Sequence, residues 1–232
     1  MADSRPLLLE VEHLCKWFPL KRTAGDVLQR KEKRYLKAVN DVSFQLFKGE
    51  NLGLVGESGT GKSTLARTIL GIVKPDQGQV IHYTKRPQMI FQDPYSALNP
   101  AYSVEWTLEE PLRVYGKYDA PERKRRVREM LDRVGLPEEC LAAKPAELSG
   151  GQRQALTLLM ATMVPPKLLL LDEHTAALDP GTAEKVLALT KDIVARQNIT
   201  CLMVTHNMKN ALELGNRTLM MDAGRIVLDI GG

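Results

Sequence analysis

The glycine-rich segment at residues 56–63, which reads GESGTGKS, constrains the fold of this 232-residue chain more than any other feature. An apolar strand candidate, Asn51 to Val55, comes directly before it, and a segment with helical spacing, Ser63 to Ile72, follows it. A strand, a glycine-rich loop and a helix in this order open a parallel α/β unit. The sequence therefore predicts an α/β fold whose sheet is mainly parallel.

The residue types in this segment are those that bind nucleotide phosphates. Glycines allow successive backbone N–H groups to converge on a phosphate, Lys62 adds a positive charge, and the Ser63 hydroxyl can ligate Mg²⁺. The alternative, a glycine-rich turn with an incidental lysine, leaves the flanking strand and helix unexplained. The residues predicted to bind the phosphates are Gly56, Ser58, Gly59, Gly61, Lys62, Ser63 and Thr64.

Two acidic residues, Asp172 and Glu173, follow the continuous apolar run Leu168 to Leu171, which is typical of a strand buried on both faces. A carboxylate at the tip of such a strand can hold Mg²⁺ through water, and a second one can take a proton from an attacking water. Alone this signal is weak, because buried strands often end in acidic residues. It gains weight because a phosphate-binding loop occurs in the same chain.

A second glycine-rich segment, Ser149 to Gln152, stands before a helical stretch, Gln154 to Ala161. A plain helix start is one interpretation, and a second anion site at a helix N-terminus is the other. One chain with two sites for phosphate suggests that two chains share a nucleotide. The residues predicted for this second site are Ser149, Gly150, Gly151 and Gln152.

These three motifs, in this order, resemble those of the nucleotide-binding domain of ABC transporters, and the resemblance covers roughly residues 7–229. Three further positions match the family. Gln92 in the stretch FQDP resembles its Q-loop glutamine, Asp179 in ALD its D-loop aspartate, and His206 in VTHN its switch histidine. A lone histidine after an apolar strand would more often be structural, but six landmarks in order make the match specific.

The resemblance implies that the protein hydrolyses ATP to ADP and phosphate. The implied Mg²⁺ ligands are Ser63, Gln92 and, through water, Asp172. The implied catalytic residues are Lys62, Glu173 and His206. Glu173 would be the general base, His206 would contact the γ-phosphate, and Asp179 would join the residues that contact nucleotide.

The family also implies partners and a location. A second ABC ATPase chain, identical or different, would pair with this one when ATP is bound, so that the segment Ser149 to Gln152 closes over the partner's ATP. Transmembrane permease subunits are expected, and the chain would lie in the cytoplasm, at the inner side of the cell membrane when assembled. No run approaches 18 apolar residues, so the chain itself is not expected to span the membrane.

An aromatic side chain near the start of the chain stacks on adenine in this family. Trp17 and Phe18 are both candidates, and their spacing favours Phe18. The alternative is that these rings pack on the core.

We expect a single nucleotide-binding domain over residues 1–232, built from a P-loop NTPase core, an antiparallel β portion and a helical subdomain at about 95–160. The basic stretch 19–37 is expected to be an exposed loop, and Lys48 to Glu50 is expected to turn a hairpin. The stretch between Ser63 and Gln92 is shorter than in importer relatives.

The two parts of the chain resemble different importers. The segments Lys16 to Pro19 and Gln92 to Pro100 are similar to ATPases of oligopeptide and dipeptide importers, whereas the sequence from Leu148 onward is similar to ATPases of amino-acid importers. The chain is therefore either a natural intermediate or a built chimera. The leading function is an importer ATPase, and the alternative is an isolated or engineered module that binds nucleotide without coupling to transport.

Composition excludes several other classes. The net charge of +4, from 32 Lys and Arg against 28 Asp and Glu, is too small to indicate nucleic acid. The basic run at 122–128 is better explained as a solvated helix face. The three cysteines lie far apart without a CxxC pair, which argues against zinc and redox sites. His174 has no His or Cys neighbour in sequence and is interpreted as a structural residue, not a metal ligand.

Overall fold

The computed structural model describes residues 5–22, 32–116 and 118–231. It divides into two compact units, the first made of the residues up to Lys85 together with those from Leu202 onward, and the second of Arg86–Cys201. The described strands are β1 (Leu7–Pro19), β2 (Tyr35–Phe47), β3 (Asn51–Val55), β4 (Gln77–His82), β5 (Gln88–Ile90), β6 (Leu168–Asp172), β7 (Thr200–Thr205), β8 (Arg217–Asp222) and β9 (Arg225–Gly231). The described α-helices are α1 (Lys62–Ile69), α2 (Val104–Val114), α3 (Ala120–Arg133), α4 (Gly150–Thr162), α5 (Pro180–Arg196) and α6 (Met208–Leu214).

The first unit contains the antiparallel portion that the sequence predicts. Strand β1 lies between β2 and β4 and pairs antiparallel with both. Along β2, Val42, Phe44 and Leu46 are buried while the residues between them are exposed, as the period of two in a half-buried strand requires. This sheet therefore follows from the alternation in the sequence.

A second sheet of the first unit has the order β7-β3-β8-β9. Strands β3 and β8 are parallel, and β8 and β9 form an antiparallel pair around the turn at Ala223 and Gly224. In the second unit, β5 and β6 are parallel, and every residue of β6 is buried. The α/β prediction with a mainly parallel core is thus confirmed.

The predicted hairpin at Lys48 to Glu50 is wrong. A turn is present there, but β2 pairs with β1 and β3 pairs with β8, so the turn takes the chain from one sheet to another. The physical reason lies in β3, whose residues Leu52 to Val55 are all buried, as in a parallel strand that is covered on both faces.

The predicted loop at 19–37 is shorter than expected, because β1 extends to Pro19 and β2 begins at Tyr35. Its central part, residues 23–31, lies outside the described residues. Helix α3 is the surface helix that the charge pattern predicts, since only Val127 and Leu131 are buried in it. Four of its arginines, Arg123, Arg125, Arg126 and Arg128, are paired with acidic residues, which supports a solvated face. Arg126, for example, lies 2.8 Å from Glu122.

Candidate active site

The loop between β3 and α1 has a shape that only glycine permits at one position. Gly61 has a φ of 101°, in the left-handed region, and a Cβ atom there would overlap the carbonyl oxygen of Ala38. Gly59 is also left-handed, with a φ of 84°, but no other described atom lies within 4 Å of the position its Cβ would take. The backbone approach at Gly61 therefore fixes where the loop passes into the helix.

Helix α1 starts directly after the glycine-rich loop. Its N-cap residue is Gly61, and in the described part of the chain no side chain accepts a hydrogen bond at this start. The first N–H groups of a helix have no partner inside the helix, and the helix dipole makes this end attractive to anions. Ser63 and Thr64 lie in the first turn and are half-buried.

Lys62 is buried and lies against the same loop. Its Nζ donates to the carbonyl oxygens of Gly56 at 2.8 Å and Glu57 at 2.7 Å. The Thr60 hydroxyl also donates to the Glu57 oxygen, at 2.9 Å, which braces the loop, while Ser58 at its tip is exposed. The loop thus holds a positive charge next to a helix start, a combination that binds phosphate.

The aromatic pair near the start of the chain lies at the end of β1. Phe18 is 39% exposed, and the Lys16 ammonium lies 5.5 Å from the centre of its ring. Trp17 is half-buried, its backbone N–H donates to Asp76, and Lys37 lies 5.4 Å from its ring centre. The exposed ring of Phe18 is therefore not a core residue, which keeps it available for stacking.

His206 lies directly after β7 and is exposed. The next residue, Asn207, donates its N–H to the Thr205 hydroxyl at 3.0 Å and caps α6 by accepting from the N–H of Asn210 at 3.3 Å. His206 is thus held between the end of a buried strand and the start of a helix, where its imidazole can reach a ligand.

In the second unit, the acidic pair ends strand β6. Asp172 is buried as the last residue of the strand, and Glu173 is half-buried with a φ of 47°. A positive φ is uncommon for a residue with a side chain, and it redirects the chain at this point. Asp172 and Glu173 therefore have different surroundings although they are neighbours in sequence.

The segment Ser149 to Gln152 forms the start of α4 with a reciprocal cap. The Ser149 hydroxyl accepts from the Gln152 N–H at 3.2 Å, and the Ser149 N–H donates to the Gln152 side-chain oxygen at 2.8 Å. A Cβ atom on Gly151 would overlap the side chain of Thr182 in α5. The start of α4 therefore lies against the start of α5.

Asp179 is the N-cap of α5. Its carboxylate accepts from the Thr182 N–H at 3.1 Å, and hydrogen bonds from the Thr182 side chain and backbone lower the pKa of this carboxyl group. Since Thr182 is also the residue against Gly151, the structure brings two of the predicted motifs together within this unit.

Gln92 lies in the segment after β5 and is exposed. Asp93 caps the short 3-10 helix Pro94–Ser96 by accepting from the Tyr95 N–H at 2.9 Å. The guanidinium of Arg153 lies 4.2 Å from the centre of the Tyr95 ring. The segment that carries Gln92 is therefore attached to α4.

Arg153 is a residue that sequence reasoning missed. It also donates to the carbonyl oxygens of Pro145, at 3.3 Å, and Leu148, so one side chain contacts both the Gln92 segment and the residues before Ser149. An arginine near a helix start is usually solvated, and only its place directly after the Ser149 to Gln152 segment could have drawn attention to it.

The predicted Mg²⁺ ligands are a hydroxyl, an amide and a carboxylate, which are the oxygen donors that Mg²⁺ prefers. Among the residues described, no three His, Cys, Asp or Glu side chains are grouped as a metal cage. In the same part of the chain, none of the helices combines the length and hydropathy that a membrane span requires.

The chain is similar to known proteins over nearly its whole length. The sequence pattern of the family described as "ABC transporter" matches residues 39–176. The chain is 35% identical to the oligopeptide transport ATP-binding protein OppF of Haemophilus influenzae, over 97% of this chain and 72% of that protein. It is 36% identical to the tyrosine transport ATP-binding protein of Clostridioides difficile, over 96% and 92%.

A solved structure supports the same relationship. The dimeric ATP-binding cassette MJ0796, in a post-hydrolysis state with ADP and phosphate, aligns with a TM-score of 0.78 and 26% identity. The alignment covers 97% of this chain and 98% of that one. The match thus extends beyond the loop at 56–63 to the order of the helices and strands.

Proposed function

The chain belongs to the ABC transporter family, and on that premise we propose that it powers an importer of peptides or amino acids. It is an ATP-binding protein and an ATPase of this family. The observation that carries the proposal is the loop at 56–63, where the buried Lys62, at the start of α1, donates from its ammonium group to the carbonyl oxygens of Gly56 and Glu57. The names of the relatives, oligopeptide and tyrosine transport, support the importer class.

ATP binding would rest on the first unit. The residues proposed to hold the phosphates are Gly56, Ser58, Gly59, Gly61, Lys62, Ser63 and Thr64. The N–H groups at the start of α1 donate to the phosphate oxygens, and Lys62 offsets their charge. Phe18, the more exposed of the two aromatic rings, would stack on adenine.

Hydrolysis would use the proposed metal ligands and catalytic residues. Ser63, Gln92 and, through water, Asp172 would hold Mg²⁺, which when bound offsets the negative charge of the β- and γ-phosphates. Glu173 takes a proton from the attacking water as the general base. His206 donates a hydrogen bond to the γ-phosphate and stabilises the charge that develops there.

A second ABC ATPase chain, identical or different, would complete the site. Ser149 to Gln152 and Asp179 would lie over the ATP bound to the partner, with the Ser149 hydroxyl and the N–H groups of α4 as donors. The 232 residues would act as one nucleotide-binding domain that attaches to permease subunits at the inner face of the membrane. Dimeric structures among the relatives support pairing.

The test is ATP turnover as a function of protein concentration, with Glu173→Gln as the decisive variant. We expect turnover to rise more steeply than linearly, because the active form is a dimer. Glu173→Gln should lower turnover by at least about a hundredfold, since a general base contributes roughly 10²–10⁴-fold. Glu184→Gln, the same change at an exposed position on α5, should leave turnover unchanged.

The outcomes separate the candidate functions. Full turnover by Glu173→Gln would remove the general-base assignment. Nucleotide binding without turnover in the wild type would favour the uncoupled module, which would also fail to co-purify with permease subunits.

A further inference from the structure

A buried histidine, His174, follows Glu173 directly and has no role in the mechanism above. It is 3% exposed, and its Nε2 lies 3.2 Å from the Oγ1 of Thr190, which is 1% exposed in the middle of α5. The Thr190 hydroxyl donates its one proton to the carbonyl oxygen of Val186 at 2.8 Å. Its oxygen must therefore accept from His174, so the proton of this imidazole is on Nε2.

The hydrogen bonds select the tautomer of His174. A neutral imidazole carries one ring proton, and the bond to Thr190 places it on Nε2. The side chain is thus a fixed donor with a single partner on α5.

The backbone beside His174 has a conformation that needs support. Glu173 has a φ of 47°, in the left-handed region. A non-glycine residue keeps this conformation only where the surrounding structure stabilises it. On one side Asp172 is fixed in β6, and the Glu173 carbonyl accepts from the Ala176 N–H at 2.9 Å. After Glu173, the side chain of His174 attaches the turn to α5 through its hydrogen bond to Thr190.

We propose that His174 is a positioning residue whose hydrogen bond to Thr190 holds the turn that carries Glu173. The bond ties this turn to the middle of α5 and so fixes where the Glu173 carboxylate meets the attacking water. This inference rests on the proposed function, in which Glu173 is the general base. A misplacement of about 1 Å at such a group can cost about a hundredfold in rate.

Thr190→Val tests the proposal, because it removes the acceptor while keeping the shape of the side chain. The matched control is Thr162→Val, since Thr162 is equally buried, lies in α4 and bonds only to backbone carbonyls, at 2.7 Å to Leu158. We expect Thr190→Val to lower kcat by about tenfold with an unchanged KM for ATP, because the phosphates bind at the loop of the first unit.

The control variants complete the kinetic test. Thr162→Val should stay within about twofold of the wild type, and Thr190→Ser, which keeps the hydroxyl, should recover most of the lost kcat. An equal loss in the two valine variants, or no recovery with serine, would overturn the positioning role.

A spectroscopic readout tests the hydrogen bond without any turnover. In a ¹⁵N-histidine NMR spectrum, His174 should show the Nε2–H tautomer, and this preference should weaken in Thr190→Val. The chain has four histidines, so His174→Gln identifies the signal by its loss. An Nδ1–H tautomer in the wild type would overturn the inference.

The experiments distinguish the role of Glu173 from the role of His174. Full turnover in Glu173→Gln would overturn the general-base assignment and with it the kinetic role of His174. A weakened tautomer preference with unchanged kcat in Thr190→Val would overturn the positioning role alone.

Discussion

Helices α1 and α4 both begin at glycine-rich segments, yet they begin in opposite ways. At Gly61 the backbone alone makes the start of α1, and no side chain in the described chain caps it. At Ser149 the start of α4 is closed by two hydrogen bonds with Gln152. Among the described residues the start of α1 thus has no side-chain cap, whereas the start of α4 is held by its own side chains.

The contrast extends to the surrounding segments. The phosphate loop depends on a close backbone approach, between Gly61 and Ala38. The segments of the second unit depend on side chains, as in the bond between His174 and Thr190 and the cap that Asp179 provides. Substitution of glycine should therefore have its largest effect in the phosphate loop at 56–63. Substitution of polar side chains should have its largest effect in the segments of the second unit.

Gly61→Ala should have the largest effect. A methyl group there overlaps the Ala38 carbonyl and adds strain from the left-handed φ, so the loop must move. We expect ATP affinity, measured by calorimetry, to fall by more than about a hundredfold, or about 3 kcal/mol. Gly59→Ala is the control, because its Cβ has open space, and it should lose less than about tenfold. Equal losses would contradict a loop held by the approach at Gly61.

We expect pH to have an intermediate effect on the free energy of unfolding, through His174 in the second unit. The folded pKa of His174, about 4, lies below its ordinary value of 6.5, so below pH 6.5 the unfolded chain binds a proton that the folded chain does not. This contribution to stability is present above pH 6.5 and is lost as the pH falls. Between pH 6.5 and pH 5 it amounts to roughly 2 kcal/mol.

Urea unfolding at several pH values would measure this effect. His174→Gln should lose less stability on acidification than the wild type, by that amount. Parallel pH dependences for the two proteins would show that His174 is protonated in the folded state.

Ser149→Ala should have the smallest effect on stability, because it removes one cap. We expect a loss of about 1 kcal/mol in the free energy of unfolding. Ser103→Ala removes the comparable cap of α2, where Ser103 accepts from the Trp106 N–H at 3.3 Å, and should cost a similar amount. Only Ser149→Ala should also lower ATP turnover, because the proposed function places its hydroxyl against the partner's nucleotide. A similar loss of turnover in both variants would show that Ser149 acts only as a helix cap.

The sequence predicts the local parts of this molecule well. The loop at 56–63, the buried strand before Asp172 and the strands around Gly224 follow from turn residues and hydrophobic periods, which act over a few residues. Family resemblance added Gln92, Asp179 and His206, whose types alone would not identify them.

The missed features depend on contacts between distant residues. Arg153 meets Tyr95, and His174 meets Thr190, through the packing of helices that no periodicity reveals. The hairpin prediction at Lys48 failed for the same reason, because the partner of β3 is β8, from the other end of the chain. Each of these features is determined by contacts between residues that are distant in sequence.

The central claim has two parts. The loop at 56–63 binds ATP, and the start of α4 at Ser149 completes the ATP site of a second chain. Sedimentation of Glu173→Gln with and without ATP tests it most directly, because we expect this variant to bind ATP without consuming it. We predict a dimer with ATP and a monomer without it, and a monomer again when Ser149→Ala is added. A monomer under all conditions, at concentrations that saturate ATP binding, would contradict the claim.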